Sequence, residues 1–450
     1  MSKLRLAVIG AGPAGIYASD LILKAERDFD VSIDLFDLLP APYGLVRYGV
    51  APDHPRIKGI IKALHEVLDR GDIRFFGNVT YGKDITLADL KEHYNAVIFA
   101  TGAIADASLN IPGADLDGSY GAADFVNWYD AHPDFPTQWP LNAKEIAVIG
   151  NGNVALDVAR MLIKLPEDLL TTDIPDHVFQ GLKESPVTDV HVFGRRGPAQ
   201  VKFSPLELRE ALHVAGVQAI VYDEDFQYDE GSQNAIDSNN QIRVMVKTLE
   251  DLRENPQEAQ ERRLHLHFFA SPKEILGEDG KVVGFRVEKT KLDGTGNVTL
   301  TGETVDYPVQ AVYRAVGYFG SPLDEIPFDP KYGVIKNDEG RVLDDQGSQI
   351  PGIYCTGWIK RGPVGLIGHT KADAIETISH VIANRDSWWQ PTKPSEHAIL
   401  ETLSARGVEF IQWDNWLNID GAEKNLGQAL GRERLKLFDR AEMLQVSKGE

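Results

Sequence analysis

Three glycines near the start of the chain, Gly10, Gly12 and Gly15, are spaced as G-x-G-x-x-G. An apolar run at residues 6–9 precedes them and a helical pattern at 16–23 follows. In such a strand–turn–helix the first glycine makes the tight turn, the second lets the backbone approach a pyrophosphate, and the third lets helix and strand pack closely. The free N–H groups at the helix start would then face the phosphates. The spacing predicts a dinucleotide site; the alternative is an ordinary tight turn.

An acidic residue, Asp37, ends the next predicted strand at 31–36. An acid at this place in a nucleotide-binding unit commonly accepts a hydrogen bond from a ribose hydroxyl. The alternative is a solvated loop carboxylate. The position at a strand end favours the ribose role.

The glycine pattern occurs a second time, at residues 146–155 (IAVIGNGNVA). Gly150, Gly152 and Ala155 lie between an apolar strand and a helix, with alanine in the third place. Two such units in one chain predict two dinucleotide sites.

Two arginines, Arg195 and Arg196, follow the second strand of this second unit, at 190–193. An acid there would repel a 2′-phosphate, whereas arginine binds phosphate through a planar fork of donors. The pair therefore predicts NADP rather than NAD. The alternative is a surface pair in a turn.

The segment 204–212 predicts a helix with Ser204 as N-cap and Pro205 at its first position. Glu207 then stands where a capping-box glutamate would, and Glu210 could be a solvated helix residue.

Residues 218–260 are expected to alternate short strands with acidic loops, and 266–314 to form strands with a hairpin turn at 293–294. His265 and His267 alternate on a strand, but no third ligand is spaced with them, so no metal site is predicted.

Two further segments look specialised for binding. Residues 40–55 are dense in proline, glycine and aromatic residues, which favours an ordered loop packed over a ligand. Residues 350–370 run from a strand into a Gly-Trp-x-Lys-Arg-Gly-Pro turn, where Trp358 is expected to stack near a ring system. The alternative is a core tryptophan, although such a turn is an unusual core element.

The composition narrows the class of protein. The chain has 450 residues, 43% hydrophobic and 25% charged, which fits two or three globular domains. A formal charge of −21 argues against a nucleic-acid binder.

The first strand begins within the first residues, and no apolar run approaches the ~20 needed to span a bilayer, so a cytoplasmic protein without membrane insertion is expected. The single cysteine, Cys355, excludes an intrachain disulfide, a redox pair and a four-cysteine iron–sulfur site.

The chain resembles the adrenodoxin-reductase family of NADPH–ferredoxin reductases. The residues that carry the resemblance are GLVRYGVAPDHP, GNGNVALDVAR, GRRGP with its following LELRE, and GWIKRGP. The resemblance implies an α/β fold with two Rossmann-like dinucleotide-binding domains, the NADPH domain being inserted into the FAD domain. The expected FAD domain comprises residues 1–105 and 315–450, and the NADPH domain residues 106–314.

The resemblance also implies individual roles. The residues expected to bind FAD are Gly10, Gly12, Pro13, Ala14, Gly15, Asp37, Leu45, Val79, Trp358, Gly365, Leu366 and Ile367. Those expected to bind NADPH are Asn151, Gly152, Asn153, Val154, Arg195, Arg196 and Glu207, with Gly365 near both cofactors. His54 and Glu210 are expected beside the active site. At Asp37 relatives more often have glutamate, and the shorter side chain leaves a water-bridged ribose contact open.

The implied function is that of a ferredoxin–NADP+ reductase (EC 1.18.1.2 type). Hydride passes from NADPH to the flavin, and electrons then pass to a separate one-electron carrier, a ferredoxin or flavodoxin. The alternatives are an NADPH-dependent flavoprotein monooxygenase or oxidase, and a non-catalytic dinucleotide sensor. A disulfide reductase is excluded by the lone cysteine.

The partner is expected to be a small acidic electron carrier, although the chain itself is acidic. Five basic residues near the aromatic loop and Trp358 are expected to form an exposed patch around the flavin edge: Arg47, Arg56, Lys58, Lys360 and Arg361. Such a patch would steer an acidic carrier despite the overall charge.

Overall fold

A computed structural model describes residues 3–364 and 367–449. Its strands are β1 (Lys3–Ile9), β2 (Asp30–Phe36), β3 (Ile73–Phe76), β4 (Ala96–Phe99), β5 (Ala105–Asp106), β6 (Ser119–Gly121), β7 (Glu145–Ile149), β8 (Asp189–Phe193), β9 (Val217–Ile220), β10 (Arg262–His267), β11 (Ala270–Glu278), β12 (Lys281–Leu292), β13 (Val298–Tyr307), β14 (Ala311–Arg314), β15 (Tyr318–Phe319), β16 (Phe328–Asp329), β17 (Val334–Ile335), β18 (Asn337–Asp338), β19 (Arg341–Leu343) and β20 (Gln349–Cys355).

The α-helices are α1 (Pro13–Lys24), α2 (Leu45–Tyr48), α3 (Pro55–Lys58), α4 (Ile60–Asp69), α5 (Leu87–His93), α6 (Ala122–Tyr129), α7 (Asn153–Ile163), α8 (Asp176–Glu184), α9 (Pro205–Leu212), α10 (Glu230–Ser238), α11 (Asn240–Glu254), α12 (Trp358–Arg361), α13 (Ile367–Ala383), α14 (Ala398–Ala405), α15 (Trp413–Ala429) and α16 (Arg440–Val446). Short 3₁₀ turns occupy Pro166–Leu169, Pro198–Gln200, Asp223–Asp225 and Arg385–Ser387.

The described chain divides into two compact units. The first unit comprises Met1–Ala105, Asp130–Asp134 and Gly317–Glu450, and the second comprises Asp106–Tyr129 and Phe135–Val316. These limits differ from the predicted boundaries chiefly in Asp130–Asp134, a segment that packs with the first unit. The domain boundaries predicted from the sequence, at residues 105/106 and 314/315, therefore stay a prediction.

A seven-stranded sheet organises the first unit, in the order β18-β19-β20-β4-β1-β2-β3. Its central strands β4, β1, β2 and β3 are parallel, as short apolar strands separated by helices should be. In β1, every residue after Lys3 is buried, because helices cover both faces of such a sheet. The strand ends therefore bring Gly10 and Asp37 to the same edge.

A six-stranded sheet organises the second unit, in the order β6-β14-β7-β8-β10-β9. Neighbouring strands in this sheet are all parallel, and β7 and β8 lie side by side from Glu145 opposite Asp189 to Ile149 opposite Phe193. The carboxyl ends of β7 and β8 thus bring Gly150 near the turn that carries the two arginines. An antiparallel sheet, β11-β12-β13, completes the unit. The predicted hairpin turn is confirmed, since β12 ends at Leu292 and β13 begins at Val298.

The prediction for residues 218–260 was wrong over most of its length. After β9, the chain forms the helices α10 and α11 instead of strands. Asp229 caps α10, and the amide oxygen of Asn239 accepts from two backbone N–H groups at the start of α11. Four apolar side chains of α11 are buried at helical spacing: Met245, Val246, Leu249 and Leu252.

Candidate functional site

The first glycine turn is closed so tightly that only glycine fits at two of its positions. Gly10 has φ +110°, and a Cβ there would lie 2.4 Å from the Ala100 carbonyl oxygen. A Cβ on Gly15 would lie 1.9 Å from the Gly10 carbonyl oxygen. These contacts match the turn and packing roles predicted for the first and third glycines.

The middle of this turn is open. Gly12 is the N-cap of α1 and no side chain caps the helix start. The nearest atom to a Cβ built on Gly12 would be the Gly44 Cα, at 3.8 Å. Pro13 and Ala14 are the first residues of α1. Proline has no backbone N–H, so the N–H groups without an acceptor inside the helix begin at Ala14, next to the open space at Gly12, which we call the cradle. This arrangement fits a pyrophosphate.

The buried carboxylate of Asp37 holds this turn in shape. Its Oδ2 accepts from the Ala11 N–H at 2.7 Å and its Oδ1 from the Leu39 N–H at 2.9 Å. Burial raises the pKa of Asp37 to about 6, and the two backbone hydrogen bonds oppose that rise. Each oxygen keeps a second lone pair for a ligand hydroxyl. The ribose role stays a prediction.

Of the other residues predicted to bind FAD, Leu45 and Trp358 are half-buried first residues of α2 and α12. A Cβ on Gly357, which precedes Trp358, would lie 2.6 Å from the Ala14 Cβ, so this turn packs on the start of α1.

Val79 is buried in the hydrophobic core, and its N–H donates to the Asp37 carbonyl at 2.8 Å. Gly365 and Leu366 lie outside the described residues, and Ile367 is the first residue of α13.

The second glycine turn repeats the geometry of the first. Gly150 has φ +147°, and a Cβ there would lie 2.3 Å from the Ala315 carbonyl oxygen. Gly152 is the N-cap of α7 without a side-chain cap, and a Cβ built on it meets no heavy atom within 4 Å. Asn151, Asn153 and Val154 are all half-buried around this opening. The open cradle fits a second pyrophosphate.

The two arginines lie in the turn that follows β8. The Arg195 carbonyl accepts from the Thr290 hydroxyl at 2.8 Å, and the Arg196 carbonyl accepts from the Phe269 N–H at 3.2 Å. Their backbone is thus fixed while Arg195 is exposed and Arg196 half-buried. Within the described part of the chain, neither guanidinium has a hydrogen-bond or ion-pair partner. Both remain available to a phosphate.

Glu207 is buried and does not close a capping box. Ser204 caps α9 by accepting from the Glu207 N–H at 3.2 Å, as predicted. The reciprocal bond is absent, since the Ser204 N–H donates instead to the Asn153 side chain at 2.8 Å. A Glu207 oxygen lies 3.6 Å from an Arg160 guanidinium nitrogen. This contact joins α7 to α9. A contact of Glu207 with NADPH stays a prediction.

The predicted pair beside the active site is divided between the two units. His54 is buried at the start of α3 in the first unit. Glu210 is half-buried in α9 of the second unit. Their joint role stays a prediction.

Sequence reasoning missed a third histidine beside His265 and His267. His191 on β8 lies opposite His265 on β10. Its Nδ1 lies 2.9 Å from the His267 Nε2, and the His265 ring stacks on it with centroids 4.2 Å apart and planes at 11°. The Tyr222 hydroxyl lies 2.8 Å from the His265 Nδ1. We call these four residues the histidine array.

The histidine array has the wrong ring geometry for a shared metal. Imidazole nitrogens bind metals in the plane of the ring, and stacked rings place their lone pairs in separate parallel planes. The second nitrogen of His265 is also engaged, 2.9 Å from the Asp189 carboxylate. The ring nitrogens of the three histidines instead form hydrogen bonds with one another, with the Tyr222 hydroxyl and with the Asp189 carboxylate.

Because its histidines are buried, we expect the histidine array to make the folded protein less stable in mild acid. Burial lowers the pKa of His191 to about 4 and that of His267 to about 2, both below the ordinary 6.5. As pH falls below 6.5, the unfolded chain binds protons first, so the free energy of unfolding should fall by up to about 1.4 kcal/mol per pH unit for each histidine. Urea unfolding from pH 7 to 5 measures this slope.

Replacing His267 with Asn should make that slope shallower. Replacing His213 with Asn, an exposed histidine of the same unit, should leave it unchanged. Equal slopes for wild type and the His267 variant would show that the array does not titrate between the folded and unfolded states.

The predicted basic patch around the flavin edge was wrong. Arg47, Lys58 and Lys360 are buried and pair with Glu423, Asp130 and Glu376, respectively. Arg361 pairs with Asp373, and only Arg56 of the five is exposed.

The chain matches known proteins over its full length. Residues 4–192 match the family described as pyridine nucleotide-disulphide oxidoreductase. The chain is 40% identical to NADPH-ferredoxin reductase FprA of Mycobacterium tuberculosis over 100% of both proteins. It is 38% identical to the mitochondrial NADPH:adrenodoxin oxidoreductase of Homo sapiens, over 98% of this chain and 91% of that protein. The chain belongs to the adrenodoxin-reductase family of NADPH–ferredoxin reductases.

A solved structure agrees with this assignment. FprA from Mycobacterium tuberculosis in complex with NADPH matches with a TM-score of 0.91 at 39% identity, over 99% of this chain and 100% of that one. The predicted family, the α/β two-domain fold class, the oxidoreductase class and the cofactors FAD and NADP(H) are thereby confirmed.

Disulfide chemistry does not follow from the name of the matched family. Cys355 is the only cysteine, it is buried, and burial raises the pKa of its thiol well above the ordinary value. A buried thiol of this kind is a poor nucleophile.

Proposed function

We propose that this protein passes electrons from NADPH through bound FAD to a separate one-electron carrier of the ferredoxin type. The observation that carries the proposal is the pair of open glycine cradles, of which the second adjoins two arginines whose guanidinium groups have no partner among the described residues. The relatives named NADPH-ferredoxin reductase and NADPH:adrenodoxin oxidoreductase support the same electron donor and class of acceptor.

The residues present fit both cofactors. In the first unit, the cradle at Gly12 and the Asp37 carboxylate would hold the pyrophosphate and ribose of FAD, with Trp358 near its ring system. In the second unit, the cradle at Gly152 would hold the NADPH pyrophosphate, and Arg195 with its neighbour would hold the 2′-phosphate. FAD supplies a group that accepts a hydride and returns electrons one at a time.

The protein contributes binding and orientation to this reaction. Hydride transfer needs the two reacting rings held at about 3–3.5 Å, so positioning supplies much of the catalysis. No protein nucleophile is required. His54 and Glu210 are proposed to tune the surroundings of the rings rather than to carry the hydride.

The acceptor must be a separate protein, because one cysteine cannot hold an iron–sulfur cluster. We propose a small acidic carrier, a ferredoxin or flavodoxin, and a cytoplasmic location. Among the described helices, none combines the length and apolar character needed to cross a membrane.

NADPH-driven reduction of cytochrome c, with and without added ferredoxin, tests this proposal. Ferredoxin should increase the rate, and denaturation should release all the flavin as FAD. A flavin that stays on the chain, or a rate that ferredoxin does not change, would contradict the proposal.

A further inference from the structure

Residues 43–48, a turn at Tyr43 and Gly44 followed by the short helix α2, form one wall of the first glycine cradle, and we call them the loop at 43–48. The Tyr43 N–H donates to the Ala11 carbonyl at 2.8 Å, and a Cβ built on Gly44 would lie 3.1 Å from the Gly12 Cα. Tyr43 has φ +85°, which a non-glycine residue adopts only when its surroundings enforce it. Something outside the loop must therefore hold it.

A buried ion pair fixes this loop to α15. The Arg47 guanidinium donates to both oxygens of Glu423, at 2.9 and 2.5 Å. The two side chains are 3% and 0% exposed, which makes this a desolvated, bidentate pair. Glu423 also accepts from Arg434 at 3.1 Å and from the Leu437 N–H at 2.9 Å.

A buried lysine of the same segment fixes the loop backbone. The Lys436 ammonium donates to the Arg47 carbonyl at 2.8 Å and to the Asp130 carboxylate at 3.0 Å. Its side chain is 2% exposed. Glu423, Arg434 and Lys436, which we call the C-terminal clamp, thus hold the side chain and the main chain of one loop residue.

We propose that the C-terminal clamp is a positioning device for FAD. This inference rests on the proposed FAD-binding role of the first cradle. It assigns a role in FAD binding to the C-terminal segment, in which the sequence shows no cofactor-binding motif. Glu423 and Lys436 are positioning residues, because they act on the cofactor only through the loop at 43–48.

The physical reason is preorganisation. Without Glu423, the buried Arg47 charge has no bidentate acceptor, and the loop must move to solvate it. The strained conformation at Tyr43 then keeps its own contacts with Ala11, His65 and Trp416 but loses the support of the neighbouring Arg47. If the loop keeps its binding conformation only about one-tenth of the time, the apparent dissociation constant for FAD rises about tenfold.

Glu423→Gln, purified as the FAD-loaded protein, tests the clamp. Flavin fluorescence on serial dilution should show the FAD dissociation constant raised by about tenfold or more. The NADP+ dissociation constant of the same preparation should stay within about twofold of wild type, because its predicted site lies in the other unit. Hydrogen exchange of residues 43–48 should become faster.

Asp34→Asn is the matched control. Asp34 is 0% exposed in the same unit and accepts from Arg5 and Arg74 at 2.7 Å. Its loss should lower the melting temperature without raising the FAD dissociation constant comparably. If Glu423→Gln does not fold, Lys436→Met removes the donor to the loop carbonyl and is tested in the same way.

An FAD dissociation constant equal to wild type in the clamp variant, with a lower melting temperature, would overturn the proposal and leave the clamp a purely structural element. This outcome differs from failure of the proposed function, in which the wild-type protein itself would carry no FAD.

Discussion

Replacing Arg195 and Arg196 together with alanine is expected to raise the KM for NADPH by on the order of 10²-fold or more, with little change in the KM for NADH. Charge-assisted hydrogen bonds contribute roughly 1.5–3 kcal/mol each, and neither guanidinium group is paired with another residue in the described part of the chain. Because NADH has no 2′-phosphate, its KM should not depend on these two arginines. Steady-state kinetics with both coenzymes measure the difference.

The control removes the same amount of charge elsewhere in the unit. Arg243 and Arg286 lie on α11 and β12, and Arg286 pairs with Asp306. Their joint replacement by alanine should leave both KM values close to wild type. Equal increases for NADPH and NADH in the Arg195/Arg196 variant would mean that these arginines support the turn and do not recognise the phosphate.

Replacing Gly152 with alanine is expected to weaken NADPH binding about tenfold or more while leaving the melting temperature unchanged, a loss of about 1.4 kcal/mol in binding. Its φ of −109° suits any residue, and the added Cβ meets no protein atom within 4 Å. The methyl group would therefore clash only with a bound pyrophosphate. Titration with NADP+ and thermal unfolding measure the two effects separately.

Gly150 provides the opposite control in the same turn. Its φ is +147° and a Cβ would lie 2.3 Å from the Ala315 carbonyl oxygen. Gly150→Ala should therefore lower the melting temperature directly. Unchanged NADP+ affinity in the Gly152→Ala protein would show that the pyrophosphate does not approach this part of the backbone.

Local patterns in the sequence predicted the glycine turns well. Gly10 and Gly150 each follow a buried strand and precede a helix within a few residues. The strand, the turn and the helix can therefore all be predicted from one short stretch of sequence. The arginine turn was predictable for the same reason. The α11 helix also had a local signal that was overlooked, with Asn239 as N-cap and apolar residues at helical spacing.

The features that the sequence did not reveal depend on residues far apart in the chain. Arg47 was expected in an exposed basic patch because of its place by the aromatic loop, yet it is buried against Glu423, a partner 376 residues away. His191 joins His265 only because β8 and β10 are neighbours in the sheet. The spacing of residues within one segment cannot predict such contacts, because they depend on the order of the strands and on how the helices pack.

The central claim is that electrons pass from NADPH to flavin and then to a one-electron carrier. Anaerobic mixing of the FAD-loaded protein with NADPH, followed by oxidised ferredoxin, tests it most directly. The visible absorbance of the oxidised flavin should fall on adding NADPH and recover as ferredoxin is reduced, with NADH far less effective. Bleaching that only oxygen reverses, with ferredoxin left oxidised, or no bleaching at all, would contradict the account.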